Sequence, residues 1–191
     1  MSKRADPARQ IAVQAEALEL RALFDKHYAS VWRLLRRLGV PAAQLDDATQ
    51  EVFWVAARRL SDIEPGRDGA FLYGVALRVA AGELRRLKTA MPLVDIGQAP
   101  AMVDEGPSPE DQLVARQARR LLDQVLDGMP GELRTVFVLH ELEGIEVRDI
   151  AALEEIPVGT ASSRLRRARE VFSAICKRVR AGSRSHGGLS S

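Results

Sequence analysis

The residues in this chain best suited to chemistry are charged and clustered, and few of them are nucleophiles or metal ligands. Between Val158 and Phe172 the apolar residues Val158, Ala161, Leu165, Ala168 and Phe172 recur at alternating spacings of three and four. That period draws one apolar seam along a helix, so Ser162, Ser163, Arg166, Arg167 and Arg169 must point away from a core. Serines allow close approach to a surface, and arginine forks bind phosphates or guanine edges. The chemistry that fits is recognition of a polyanion, with a solvated basic helix face as the competing reading. The preceding segment, Val147 to about Glu154, carries Ile150, Ala151 and Leu153 on one side. A tight turn at Glu155–Ile156 follows, and Pro157 suits the first turn of the next helix. A short helix, a turn and a second helix with an open basic face are the parts of a DNA-binding helix-turn-helix.

Metal and covalent chemistry have little support. His27, His140 and His186 lie far apart with no nearby cysteine pair, so no metal-ligand spacing is present. His27 and His140 fall on apolar stripes and read as core-edge residues. Cys176 is the only cysteine; it reads as a helix-packing residue and fits a reducing compartment. No glycine-rich phosphate loop, nucleophile elbow or dense carboxylate pair occurs. Neither an enzyme, a cofactor nor a bound metal is expected.

The elements that must position these residues are helical. Hydrophobic residues make up 46 % of the 191 and aromatic ones 5 %, a mix that favours helices over sheets. Leu20, Leu23, Phe24, His27/Tyr28, Val31, Leu34, Leu35 and Leu38 form a first helical stripe, ended by Gly39 and Pro41. A second helix is expected from about Ala43 to Leu60, with Leu45, Ala48, Val52, Val55 and Ala56 on one face and Asp46, Asp47, Gln50 and Glu51 on another. The turn-rich stretch SDIEPGRDG leads into a third, Ala70 to about Lys88, which ends in the basic run from Arg85 to Lys88. The pattern then stops. Thr89 to Gln112 holds five acids (Asp95, Asp104, Glu105, Glu110, Asp111) and no base, with Pro92, Pro100, Pro107 and Pro109. Periodicity resumes with Leu113, Leu121, Leu122, Val125 and Leu126, and another helix follows from Glu132 through Leu142.

The expected fold is therefore all-α, two small helical domains joined by a flexible acidic linker. The limits are a loose N-terminal arm at 1–17, a first domain at 18–88, the linker at 89–112, a second domain at 113–178 and a basic disordered tail at 179–191. The net charge is +2, but the bases gather at the C-terminal end, so one part only has a polyanion partner. No apolar run approaches the roughly 20 residues that span a bilayer, and MSKRADPARQ is not followed by an apolar stretch. A cytoplasmic protein without membrane insertion is expected.

At this point the residues resemble a known family. LDGMPGELRTVFVLHELEGIEVRDIAALEEIPVGTASSRLRRAR resembles the fourth conserved region of extracytoplasmic-function sigma factors, whose helix-turn-helix reads the promoter −35 element. LFDKHYASVWRLLRRLG, DDATQEVFWVAARRL and FLYGVALRVAAGELRR resemble region two. The resemblance covers about Leu20 to Lys177 without the linker. It implies a protein that leads core RNA polymerase to promoter DNA, under the control of an anti-sigma factor. Asp46, Asp47, Gln50 and Glu51 match the surface that docks on the polymerase clamp helices. Loop 61–69, with Arg67, matches the one that captures a base flipped from the −10 element; Phe71, Tyr73, Arg78, Arg85, Arg86 and Lys88 lie on the helix that tracks the opened strand. Thr160, Ser162, Ser163, Arg164, Arg166 and Arg167 fall on the −35 helix. The family usually has Asn at Arg78, an Asp-His-like pair at Gly82-Glu83, a turn glycine at Glu155 and a Lys or Arg at Ser162, so promoter preference is not inherited. A stand-alone helix-turn-helix regulator is the alternative, and Leu20–Lys88 separates the two.

Overall fold

The computed structural model describes residues 7–90 and 109–186, and the side chains of 14–87, 89 and 113–179. Among them every regular element is a helix, and the chain divides into two compact units. The all-α expectation with two helical domains holds. The acidic linker lies, over 91–108, outside the described residues.

The first unit is built from α1 (Pro7–Leu38), α2 (Leu45–Arg58) and α3 (Asp68–Ala90). Within the arm expected at 1–17, α1 begins at Pro7. Residues 14–19 are exposed, so no buried stripe marks them. Their alanine, leucine, glutamate and glutamine content carries the helix by intrinsic propensity outward from its packed half. At the other end Gly39 takes a left-handed φ of 100°, and the Val40 N–H bonds back to the Leu35 carbonyl at 3.1 Å, a glycine-terminated helix end.

The core of this unit joins Val31, Leu34 and Leu35 to Leu45, Ala48, Val52 and Ala56 of α2 and Leu72, Val75, Ala76 and Val79 of α3. These are the apolar positions expected from the 3.6-residue period. Thr49 is buried among them, its hydroxyl donating to the Leu45 carbonyl at 2.7 Å. Asp68 opens α3 and fastens it to α1. Its carboxylate lies 2.7 Å from both Lys26 Nζ and His27 Nε2. The Lys26 hydrogen bond, followed by that from His27, holds the Asp68 carboxyl well below the usual range, at a helix end that itself favours negative charge.

The second unit comprises α4 (Pro109–Asp127), α5 (Gly131–Phe137), α6 (Val147–Leu153) and α7 (Val158–His186). The helix expected through Leu142 instead widens into a π-helical turn over Val138–Leu142, where the Glu143 N–H reaches the Val138 carbonyl at 3.1 Å. Val138 and Leu139 are both buried there, and His140 Nδ1 sits 2.9 Å from the Ile145 carbonyl at the core edge. Helix α7 lies at the centre, packing Ala161, Leu165, Ala168 and Ile175 against Val125, Leu126, Leu133, Val136 and Ile150. The Phe137 and Phe172 rings stack with centroids 4.4 Å apart. Within the basic tail expected from residue 179, α7 continues as far as His186.

Candidate nucleic-acid interface

The helix-turn-helix is formed by α6, a turn at residues 154–157, and α7. Glu155 adopts a left-handed φ of 55°, and the Ile156 N–H closes the end of α6 on the Ala151 carbonyl at 3.0 Å. A β-carbon in that conformation costs roughly 1–2 kcal/mol, and the turn accepts it because Ile156 must reach back over α6. Pro157 stands one residue ahead of α7, its carbonyl accepting from the Thr160 and Ala161 N–H groups at 2.9 and 3.1 Å.

On α7 the seam residues Ala161, Leu165 and Ala168 are buried, and Ser162, Ser163, Arg166 and Arg167 are exposed on the open face. Arg166 and Arg167 have no ion-pair partner among the described residues. The Ser163 hydroxyl donates to the Thr160 carbonyl at 2.9 Å, leaving its lone pairs outward, while Thr160 itself is half-buried. Arg164 differs from the other expected contacts. It is half-buried and turns back to α5, with Nη2 2.8 Å from Glu132. Arg169 likewise places Nε and Nη2 at 2.8 and 2.7 Å from one oxygen of Glu141. Burial pushes the Glu154 carboxyl up, and nearby Arg164 opposes that rise.

In the first unit Asp46, Asp47, Gln50 and Glu51 are exposed on α2. Asp46 accepts from the Trp32 indole at 3.2 Å, so its position is set from α1. Asp47, Glu51, Trp54 and Arg58 follow at helical spacing along one stripe. Trp54 is 61 % exposed, with the Arg58 guanidinium 4.9 Å from its ring centre. Sequence reasoning passed over this residue. Its signal was a large aromatic lying off the Leu45–Ala48–Val52 seam.

The residues expected around the −10 element are spread along α3 and the loop before it. Arg67 is exposed beside Glu64. Phe71 is half-buried under the Arg59 guanidinium, 5.5 Å from its ring centre, and Tyr73 is half-buried too. Arg78 and Arg85 are exposed, and Arg86 pairs with Glu83. The Lys88 side chain lies outside the described residues. An open groove of about 400 Å³ between α2 and α3 brings together Glu51, Arg59, Arg78, Gly82, Glu83 and Arg86. A β-carbon on Gly82 would meet nothing within 4 Å, so glycine is not required there by packing. Among the described residues, no cluster of His, Cys, Asp and Glu could hold a metal ion, and no helix is long and apolar enough to cross a membrane.

Comparison with known proteins agrees in both units. Residues 23–89 match the family Sigma-70 region 2, and residues 119–171 match Sigma-70, region 4. The chain is 31 % identical over 143 residues to the ECF RNA polymerase sigma-E factor of Escherichia coli strain K12, covering 70 % of this chain and 74 % of that one. It is 32 % identical over 157 residues to the RNA polymerase sigma-H factor of Pseudomonas aeruginosa, covering 77 % and 80 %. In fold it is similar to CnrH solved in complex with the cytosolic domain of CnrY, with a TM-score of 0.59 at 22 % identity over 90 % of this chain and 98 % of that one. It is also similar to the sigma factor RpoE solved with the anti-sigma factor NepR from Bartonella quintana, with a TM-score of 0.58 at 18 % identity over 88 % and 98 %. A stand-alone helix-turn-helix regulator does not account for the match over the first unit. The chain belongs to the extracytoplasmic-function group of the sigma-70 family, the factors that direct RNA polymerase to promoters and initiate transcription without being enzymes.

Proposed function

We propose that promoter recognition is divided between the two units, with domain limits near 18–88 and 113–178. Helix α7 reads the −35 element through Ser162, Ser163, Arg166 and Arg167. Loop 61–69 and α3 hold the opened −10 strand through Arg67, Phe71, Tyr73, Arg78, Arg85 and Arg86, with Lys88 at the basic end of α3. The exposed face of α2, with Asp47, Gln50 and Glu51, docks on the clamp helices of the polymerase's largest subunit, and Asp46 supports that face from its bond to Trp32.

The observation that carries this reading is the open face of α7, where two short serines and two unpaired arginines stand beyond a buried seam. A helix with small polar residues and arginine forks on its free side can enter a major groove and contact both phosphates and base edges. On α3, extracting a base from the stack costs a few kcal/mol, and stacking on aromatic rings with cationic backbone contacts offsets part of that cost. The protein acts in the cytoplasm, and an anti-sigma factor holds it inactive until a signal releases it.

A reconstituted run-off transcription assay tests the reading. The chain added to core polymerase should yield a transcript from its promoter, and neither component alone should do so. Polymerase binding without any transcript would mean a factor that docks but has lost promoter melting.

A further inference from the structure

We propose that Glu132 and Glu141, which lie outside the reader helix, fix the roll of α7 about its own axis and so decide which bases its open face meets. The proposal rests on α7 being the −35 reader. Two of the three fully buried seam residues in its first turns, Ala161 and Ala168, are alanines, too short to key the helix against rotation. Leu165 and the Phe172 ring on Phe137 anchor the seam, and the flanks add a hold on its rotation. At 3.6 residues per turn, Arg164 and Arg169 leave the helix about 70° to either side of the seam's centre. Arg164 is held by Glu132 of α5 at 2.8 Å, and Arg169 by Glu141 of the π-helical turn at 2.7 Å. The two tethers start from different elements and pull on opposite sides, as outriggers do.

The four arginines between Arg164 and Arg169 thus divide into two pairs: Arg166 and Arg167 stand free on the open face, and Arg164 and Arg169 are turned back onto their own domain. The tethers are not there chiefly for stability. The Glu132 side chain is 60 % exposed and Glu141 32 %, and ion pairs that exposed contribute little. Direction is a different matter. An arginine fork on the outside of a helix moves roughly 1 Å for each 10° of roll, whereas a binding group must be held to about 0.5 Å. Glu132 and Glu141 are therefore positioning residues, acting on DNA only through Arg164 and Arg169.

The test uses holoenzyme, the full chain with core polymerase, titrated against the promoter duplex and duplexes carrying single changes in the −35 element at several salt concentrations. Glu132→Gln with Glu141→Gln should lower discrimination between these duplexes about tenfold, the scale of one misplaced bidentate base contact. The salt slope should stay unchanged, since no phosphate contact is lost. Glu141→Arg alone and Arg169→Glu alone should each lose discrimination, and the two combined should regain it, which a mere folding defect would not do. Unchanged discrimination in the double glutamine variant, or no recovery in the charge-swapped pair, overturns the proposal. A salt slope lowered by about one in Arg164→Gln also overturns it, by making Arg164 a phosphate contact. Arg167→Ala separates this claim from the one beneath it. If Arg167→Ala weakens binding while the glutamine variants discriminate normally, only the positioning role falls; if it leaves binding intact, the reader assignment falls and takes the proposal with it.

Discussion

Glu155 is a residue whose backbone works against its side chain. With φ at 55° it carries a strain of roughly 1–2 kcal/mol, and glycine there would remove the strain while adding roughly 0.5–1 kcal/mol of unfolded-state entropy. Glu155→Gly should therefore stabilise the second unit by a net of about 0.5–1 kcal/mol, read as a higher midpoint in urea denaturation. A lower midpoint would mean that the glutamate side chain contributes something its backbone conceals. On the open face of α7 the arginines should separate by kind of contact. Arg167→Ala should weaken binding to all DNA sequences about equally and lower the salt slope by about one. Arg166→Ala should change preference at particular −35 bases by about 1–3 kcal/mol. Footprint titrations of holoenzyme at graded salt would distinguish these patterns. The seam that exposes these residues was legible in the sequence because its spacing is local. The retreat of Arg164 from the open face was not, because its partner Glu132 is brought to it only by the packing of α5 on α7.

The same contrast holds for the elements. Helices α2 and α3 follow from their apolar period, and their ends lie close to the expected ones. Over residues 14–19 α1 is exposed, and a helix sustained there by propensity has no apolar stripe to read. The widened turn at Val138–Leu142 was missed because its apolar pattern fits an α-helix equally well, and the choice is made by burial of Val138 and Leu139. For α2, Asp47→Arg with Glu51→Arg should abolish retention by core polymerase in a pull-down while circular dichroism stays unchanged, since both side chains are exposed. Undiminished retention would remove the docking role from this face. For α3, Asp68 links the acid stability of the first unit to its bonds with Lys26 and His27. Because folding lowers the Asp68 pKa below its ordinary 3.8, the stabilisation is fully present above that value and is lost as pH falls beneath it. Asp68→Asn should lower stability at neutral pH and flatten its fall between about pH 4 and 2, a difference that chemical denaturation at a series of pH values would resolve.

At the scale of the whole molecule, the proposed reading gives each of the two units one small DNA contact, well short of the area buried in established specific complexes. The free chain should consequently bind promoter and scrambled duplexes with similar, weak affinity, and only its complex with core polymerase should tell them apart. Docking sets the spacing between the units and raises the effective concentration of each reader at its element. Strong sequence-specific binding by the chain alone would contradict this division of labour. The order of the two regions was readable from sequence because each carries its own motif. The role of the acidic stretch between them was not, since composition without a period specifies charge but no partner.

The exposed indole on α2 has a spectroscopic consequence. Both tryptophans of the chain, Trp32 and Trp54, belong to the first unit, so intrinsic fluorescence is blind to the helix-turn-helix. Trp32 is half-buried with its indole N–H bonded to Asp46, and Trp54 is 61 % exposed along the stripe with Asp47 and Glu51. Emission from the free chain is thus weighted towards a hydrated, red-shifted fluorophore that acrylamide can reach. Burial of that stripe against polymerase would move the spectrum to the blue and shield it from the quencher, while a −35 duplex added alone would leave it unmoved. If α2 docks on polymerase as proposed, the protein carries a label-free optical gauge of that docking and is silent about the −35 contact.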